Sequence, residues 1–142
     1  ENPPSETLRT WDDAISYCSG LPGCGYPVGE WHLPTISELR SLIRGCWMME
    51  TGGTCGVGDS CTALDDCYWP EDCPMCDPGE GPGAGGCYWP EGLSGRCRGY
   101  WSSSSVADHE SFAWLIDLGT GYLTGHRKTT PHYGARCVGH GP

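Results

Sequence analysis

Trp11, Ala14, Ile15 and Cys18 fall at i, i+3, i+4 and i+7, which lays one apolar stripe along a helix. Thr10 stands at its capping position, and Asp13, three residues on, completes a capping box. Ile36, Leu39, Leu42 and Ile43 repeat the design behind Pro34 and Thr35, with Glu38 closing the second box. The other side of this helix carries Ser37, Arg40, Ser41 and Arg44 and reads as solvent-facing, and Gly45 can stop it in the left-handed conformation. The last third switches to period two. Phe112, Trp114, Ile116 and Leu118 share one strand face, Gly119, Thr120 and Gly121 supply a turn, and Tyr122, Thr124 and His126 return as a hairpin. Residues 135–138 read as a short final strand.

Residues 46–99 show no such period. They hold eight cysteines, many Gly and Pro, and one internal echo: Cys67-Tyr68-Trp69-Pro70-Glu71 against Cys87-Tyr88-Trp89-Pro90-Glu91. Two copies are too few for a solenoid, so the echo reads as a local duplication. A structureless stretch of this length is unusual inside a compact domain. Cross-links replace the order that backbone ladders do not provide. The chain of 142 residues therefore reads as one α+β domain with residues 46–99 as a cysteine-rich acidic insertion within it.

Eleven cysteines decide the compartment, because reducing cytosol would leave such thiols open to oxidation and metals. The protein is expected to be exported, extracellular or at the cell surface. The odd count leaves at least one cysteine free or paired outside this chain. Cys24, in a Gly/Pro turn away from the cysteine-rich zone, is the candidate. The eight cysteines from Cys46 to Cys97 are expected to pair mostly among themselves. Cys87 with Cys97 is the favoured pair, since the ten-residue spacing and Gly-rich interior close without strain. A four-thiolate zinc site at Cys67, Cys73, Cys76 and Cys87 is the competing reading, but the spacing is loose and only one Cys-x-x-Cys is present. Asp72 and Asp77 flank that motif with the wrong charge for a redox thiol.

Net charge is −10, all of it from residues 1–100. Between Glu50 and Glu91 lie nine acids and no Lys or Arg. This balance argues against nucleic acid and against a polybasic membrane-surface role. No apolar run approaches the roughly 18 residues of a membrane span, so no membrane insertion is expected. No signal-peptide pattern opens the chain, and Glu1 reads as a processed N-terminus or an imposed boundary. No cofactor is expected beyond calcium, for which Asp59, Asp65 and Asp66 are the first candidates. A plainly solvated acidic loop is the alternative, since no recognised calcium-loop spacing is present.

Arg127, Lys128, His132 and Arg136 form the one cationic locality and suit sulfate or carboxylate groups. Trp69 and Trp89, in the zone where no regular core can absorb them, are candidates for stacking on sugar faces, with packing on disulfides and prolines as the alternative. Trp11, Trp31, Trp101 and Trp114 belong to the expected core. Ser102 to Ser105 lack any nucleophile-elbow context, so enzymatic activity is not expected.

Taken in order, the Trp- and Cys-bearing helix, Trp31-His32-Leu33-Pro34-Thr35-Ile36-Ser37-Glu38-Leu39, Tyr100-Trp101-Ser102-Ser103, Ala113-Trp114 with its hairpin, and Arg136-Cys137-Val138 resemble a bacterial family. It is the C-terminal domain of the Legionella collagen-like adhesin and its exported relatives, and the likeness covers nearly everything outside residues 46–99. The resemblance implies a C-type-lectin-like fold, related to that of formylglycine-generating enzymes, with two helices flanking a small twisted antiparallel sheet. It also implies a bridge between Cys18 and Cys137. The family usually has Arg where this chain has His32. Its known binding of sulfated glycosaminoglycans points to a binding or adhesion module for a glycan or other cell-surface ligand. The alternative is a structural or assembly subunit of an extracellular appendage or filament, and a homo-oligomer is compatible with either reading. Any ligand site is expected where the long loop meets the hairpin end.

Overall fold

A computed structural model describes residues 2–22 and 29–139. Helix α1 (Trp11–Ser19) starts on Thr10, whose hydroxyl oxygen accepts from the Asp13 amide. Asp13 is too short to reach back to the cap amide, and its carboxylate accepts a hydrogen bond from the Thr10 hydroxyl instead, at 2.8 Å. Strand β1 (Trp31–His32) leads into α2 (Ile36–Arg40), where Thr35 and the longer Glu38 form the complete capping box. Helix α2 is shorter than its apolar stripe. Leu42 and Ile43 continue in tighter turns, with Ile43 donating to the Arg40 carbonyl, and Ile43 is fully buried. Gly45 does adopt positive φ, at 86°, but in the turn beyond these residues rather than as the helix cap.

Two antiparallel sheets follow. One joins β2 (Gly99–Val106), β3 (His109–Asp117) and β4 (Tyr122–Arg127) in that order, and the other pairs β1 with β5 (Val138–Gly139). The final strand is thus shifted to the end of the expected segment and pairs with Trp31–His32. Strand β3 is buried on both faces. Ala113 and Leu115 pack with α1 residues Ala14 and Cys18, while Trp114 and Ile116 pack with α2 and the insertion. Phe112, Trp114, Ile116 and Leu118 do share one face, and the opposite face is buried as well, as the unbroken apolar run of residues 112–116 allows.

The serine run in β2 is structural. Between Trp101 and Ser105 the register slips, and the Ser102 hydroxyl donates to the Trp114 carbonyl across the irregularity. Ser104 accepts from the Ile36 amide, and Ser103 donates to the Pro34 carbonyl, so this strand seats the start of α2.

Five disulfides take the ten described cysteines. Cys18 and Cys137 tie α1 to the last segment, with Cα atoms 5.3 Å apart. Within the insertion, Cys46–Cys76 encloses Cys55–Cys73, which encloses Cys61–Cys67, and Cys87–Cys97 follows. Three bridges are therefore nested like rungs. Short helix α3 (Leu64–Cys67) and a 3-10 turn (Ala84–Gly86) are the only regular elements among the described residues of the insertion. All its cysteines but Cys97 lie in or against the larger of two core clusters, so the insertion supplies core as well as surface. Cys24 lies outside the described residues. No helix among the described residues is long and apolar enough to cross a membrane.

Candidate functional site

Residues 2–9 run along the end of the insertion. Asn2 accepts from the Ser94 amide and hydroxyl and donates to the Gly92 carbonyl, while the Arg9 amide donates to the Tyr133 carbonyl. These tethers set Glu6 between two arginines that flank the Cys87–Cys97 bridge. Arg96 Nε lies 2.7 Å and Arg98 Nη2 3.2 Å from the same oxygen, Glu6 Oε2. Arg98 also donates to the Glu6 carbonyl. Glu6, Leu8, Arg96, Cys97, Arg98 and His132 line an open groove of about 460 Å³. The arrangement already holds one carboxylate on two guanidinium groups, the geometry expected of an anion site. The Arg96 side chain is 72% exposed and that of Glu6 61%, against 18% for Arg98.

The cationic locality of the sequence does not stay together. His132 is exposed in this groove. Arg127 is exposed elsewhere, with its guanidinium 6.0 Å from the Phe112 ring centre. Lys128 donates to Ser105 Oγ at 2.8 Å and stands 4.2 Å over the Trp11 ring, so its charge serves the junction of α1 and the sheet. Arg136 is only 2% exposed. It stacks over Trp89 at 4.7 Å and near Tyr100 at 5.8 Å, and donates to the Ser94 carbonyl. Trp89 is fully buried. Both are therefore corrected: the residues proposed for anion contact and sugar stacking occupy each other in the core. Trp69 remains on the surface.

Sequence reasoning missed Arg96 and Arg98. They are the first cations after a run of 51 residues without one, and that return of positive charge was the available signal. Nothing in local spacing could have joined them to Glu6, some ninety positions away.

A family model described as the Lcl C-terminal domain matches residues 1–139. The chain belongs to the Lcl C-terminal domain family. No curated protein and no solved structure matches it. Family membership and five disulfides fit an extracellular bacterial module. In this Lcl-type domain His32 places Nε2 3.1 Å from the capping-box Glu38.

The three candidate calcium ligands also separate. Asp59 accepts from Thr35 Oγ1 at 2.8 Å and from the Ser37 amide at 3.1 Å, so it braces the start of α2. Asp66 is exposed and apart from the group that does form. Asp65 instead joins Asp108 and His109, each offering a ligand atom within 4.8 Å of the others. Asp108 accepts from the Leu64 and Asp65 amides, and these bonds hold its carboxyl below the ordinary carboxylate range, the Asp65 amide contributing most. His109 also borders an apolar pocket of about 240 Å³ with Leu64, Val106, Phe112 and Thr124, where the insertion meets the hairpin. Asp59→Ala should lower thermal stability by about 1 kcal/mol, the usual worth of a lost helix cap, equally with calcium or with chelator. A loss seen only in calcium would return Asp59 to the metal.

Proposed function

We propose that this domain is an extracellular, lectin-like binding module that takes the sulfate or carboxylate groups of a cell-surface glycan in the groove of Arg96, Arg98 and His132. The observation that carries the reading is the Glu6 carboxylate shared by the two arginines. The exposed Arg96–Glu6 pair is of a kind that contributes only about 0–1 kcal/mol. A ligand anion can therefore replace Glu6 at little cost and inherit both guanidinium groups. The net charge of −10 opposes the approach of a polyanion, so affinity must come from contact within a Debye length of about 8 Å at physiological salt. Binding rather than catalysis is the role such a shallow, charge-lined groove suits.

Binding of a heparin-derived oligosaccharide at low ionic strength tests the proposal. Arg96→Ala with Arg98→Ala should weaken it about tenfold and reduce the salt slope by up to about two counterions. Glu6→Gln should strengthen it by about threefold, the size of the surface pair it removes. Arg127→Ala serves as the distant comparison. Absence of salt-sensitive binding by the wild-type protein, or equal loss in Arg127→Ala and the double variant, would rule out this groove.

A further inference from the structure

The nested disulfides carry three exposed large apolar side chains that the glycan groove does not use. Trp47 is 66% exposed, Met75 58% and Trp69 51%, on a chain whose other large apolar residues are mostly covered. All three belong to one cross-linked block. Trp47 and Met75 are neighbours of Cys46 and Cys76, whose Cα atoms are 5.9 Å apart, so the Cα atoms of Trp47 and Met75 lie within about 14 Å of each other. The Trp69 carbonyl accepts from the Cys73 amide, Cys73 is bridged to Cys55, and the Cys55 amide donates to the Met48 carbonyl. Thr54 donates to the Asp72 carbonyl across the same block. The backbone that carries these side chains is thus fixed before any partner arrives, which removes the backbone part of the ordering cost of binding.

Charge identifies the partner. The nine acids between Glu50 and Glu91 have no cation in that span, and among the described residues no ion pair engages any of them. Glu71, Asp77 and Glu80 are exposed in the same stretch as Trp69 and Met75. A second copy of this chain would bring another −10 to the contact. A neutral sugar would stack on Trp and donate hydroxyl hydrogen bonds to the acids, but it would leave their charge uncompensated. Lysine and arginine side chains satisfy both features, because their aliphatic stems cover Trp and Met while the charged heads meet carboxylates and ring faces. We propose that the disulfide block carrying Trp47, Trp69 and Met75 is a docking face for a cationic protein segment with interleaved apolar residues.

The probe is a twelve-residue peptide alternating Lys and Leu, compared with Lys–Ser and Glu–Leu peptides of the same length. The Lys–Leu peptide should bind with strong salt dependence, and at least tenfold more tightly than either of the others. Trp47→Ala with Trp69→Ala should cost about tenfold, and Glu71→Gln with Asp77→Asn should flatten the salt dependence. An unchanged disulfide map shows that the variants fold. Equal binding of Lys–Ser would reduce the effect to counterion exchange, and equal binding of Glu–Leu to apolar contact alone; either overturns the proposal. So would a wild-type dimer in native mass that the Trp variants abolish, or unaltered peptide binding by those variants. The glycan groove stands or falls separately, since Arg96→Ala with Arg98→Ala leaves this face intact.

Discussion

Cys18→Ala combined with Cys137→Ala should lower the free energy of unfolding by about 5 kcal/mol, the largest loss from removing any single bridge. In the chain-entropy account a cross-link stabilises by restricting the unfolded chain, and the restriction grows with the enclosed loop. This bridge spans 119 positions, against 6 for Cys61–Cys67, for which the same account gives only about 2 kcal/mol. Packing adds to the difference. Cys18 and Cys137 are fully buried in the smaller core cluster, among Ala14, Leu33, Trp101 and Ala135. That cluster attaches α1 to the sheet, and no insertion residue reinforces it. Urea unfolding of the double variant without reductant, beside Cys61→Ala with Cys67→Ala, gives both numbers. Double variants are required, because a single change would leave an unpaired thiol and invite exchange. A loss no larger than that of the six-residue bridge would show that the unfolded ensemble is already compact enough to make the long loop cheap.

How far the sequence reveals this molecule depends on the range of each signal. The capping box at Thr35 and Glu38 is a four-residue pattern and forms in full, whereas the one at Thr10 and Asp13 forms by half because aspartate is one methylene shorter. The strand at 109–117 and its turn are legible from alternation and glycine. The β1–β5 pairing is two residues long on each side and over a hundred positions apart, too short to leave a period. Eight cysteines admit 105 pairings, and only Cys87–Cys97 could be favoured on local grounds; the nested set depends on the folded path. The anion groove is harder still, since Glu6, Arg96, Arg98 and His132 meet only after the N-terminal segment is laid along the insertion. By residue type, Trp89 and Arg136 each point to surface chemistry. Together they form a buried stack, because a planar guanidinium on an aromatic face sheds water more readily than an ammonium does.

Arg40 shows the same failure with the largest consequence. Its place on the polar side of α2 reads as solvent, yet it is 7% exposed. The insertion folds back over it. Arg40 Nε donates to the Met49 carbonyl, Nη2 to that of Glu50, and Nη1 to those of Cys55 and Val57. No carboxylate pairs with it among the described residues, so four backbone dipoles carry the charge. Burial lowers its pKa, but an arginine so placed stays protonated at any ordinary pH. One side chain thereby fixes the course of residues 49–57 and sets Cys55 opposite Cys73, with Cα atoms 4.5 Å apart. Arg40→Met should destabilise the protein by roughly 3–5 kcal/mol: buried carbonyls left without donors cost about 1–3 kcal/mol each, offset in part by water that reaches the loop. Arg40→Lys should recover less than half, since a single ammonium cannot span four carbonyls arranged for a fork. The role also predicts a pairing defect. After reduction and reoxidation, peptide mapping of Arg40→Met should find Cys55 and Cys73 in mixed partnerships while Cys18–Cys137 and Cys87–Cys97 re-form. Native pairing throughout, with a stability loss under about 1 kcal/mol, would mean that the nested bridges direct this loop and Arg40 merely fills the space inside it.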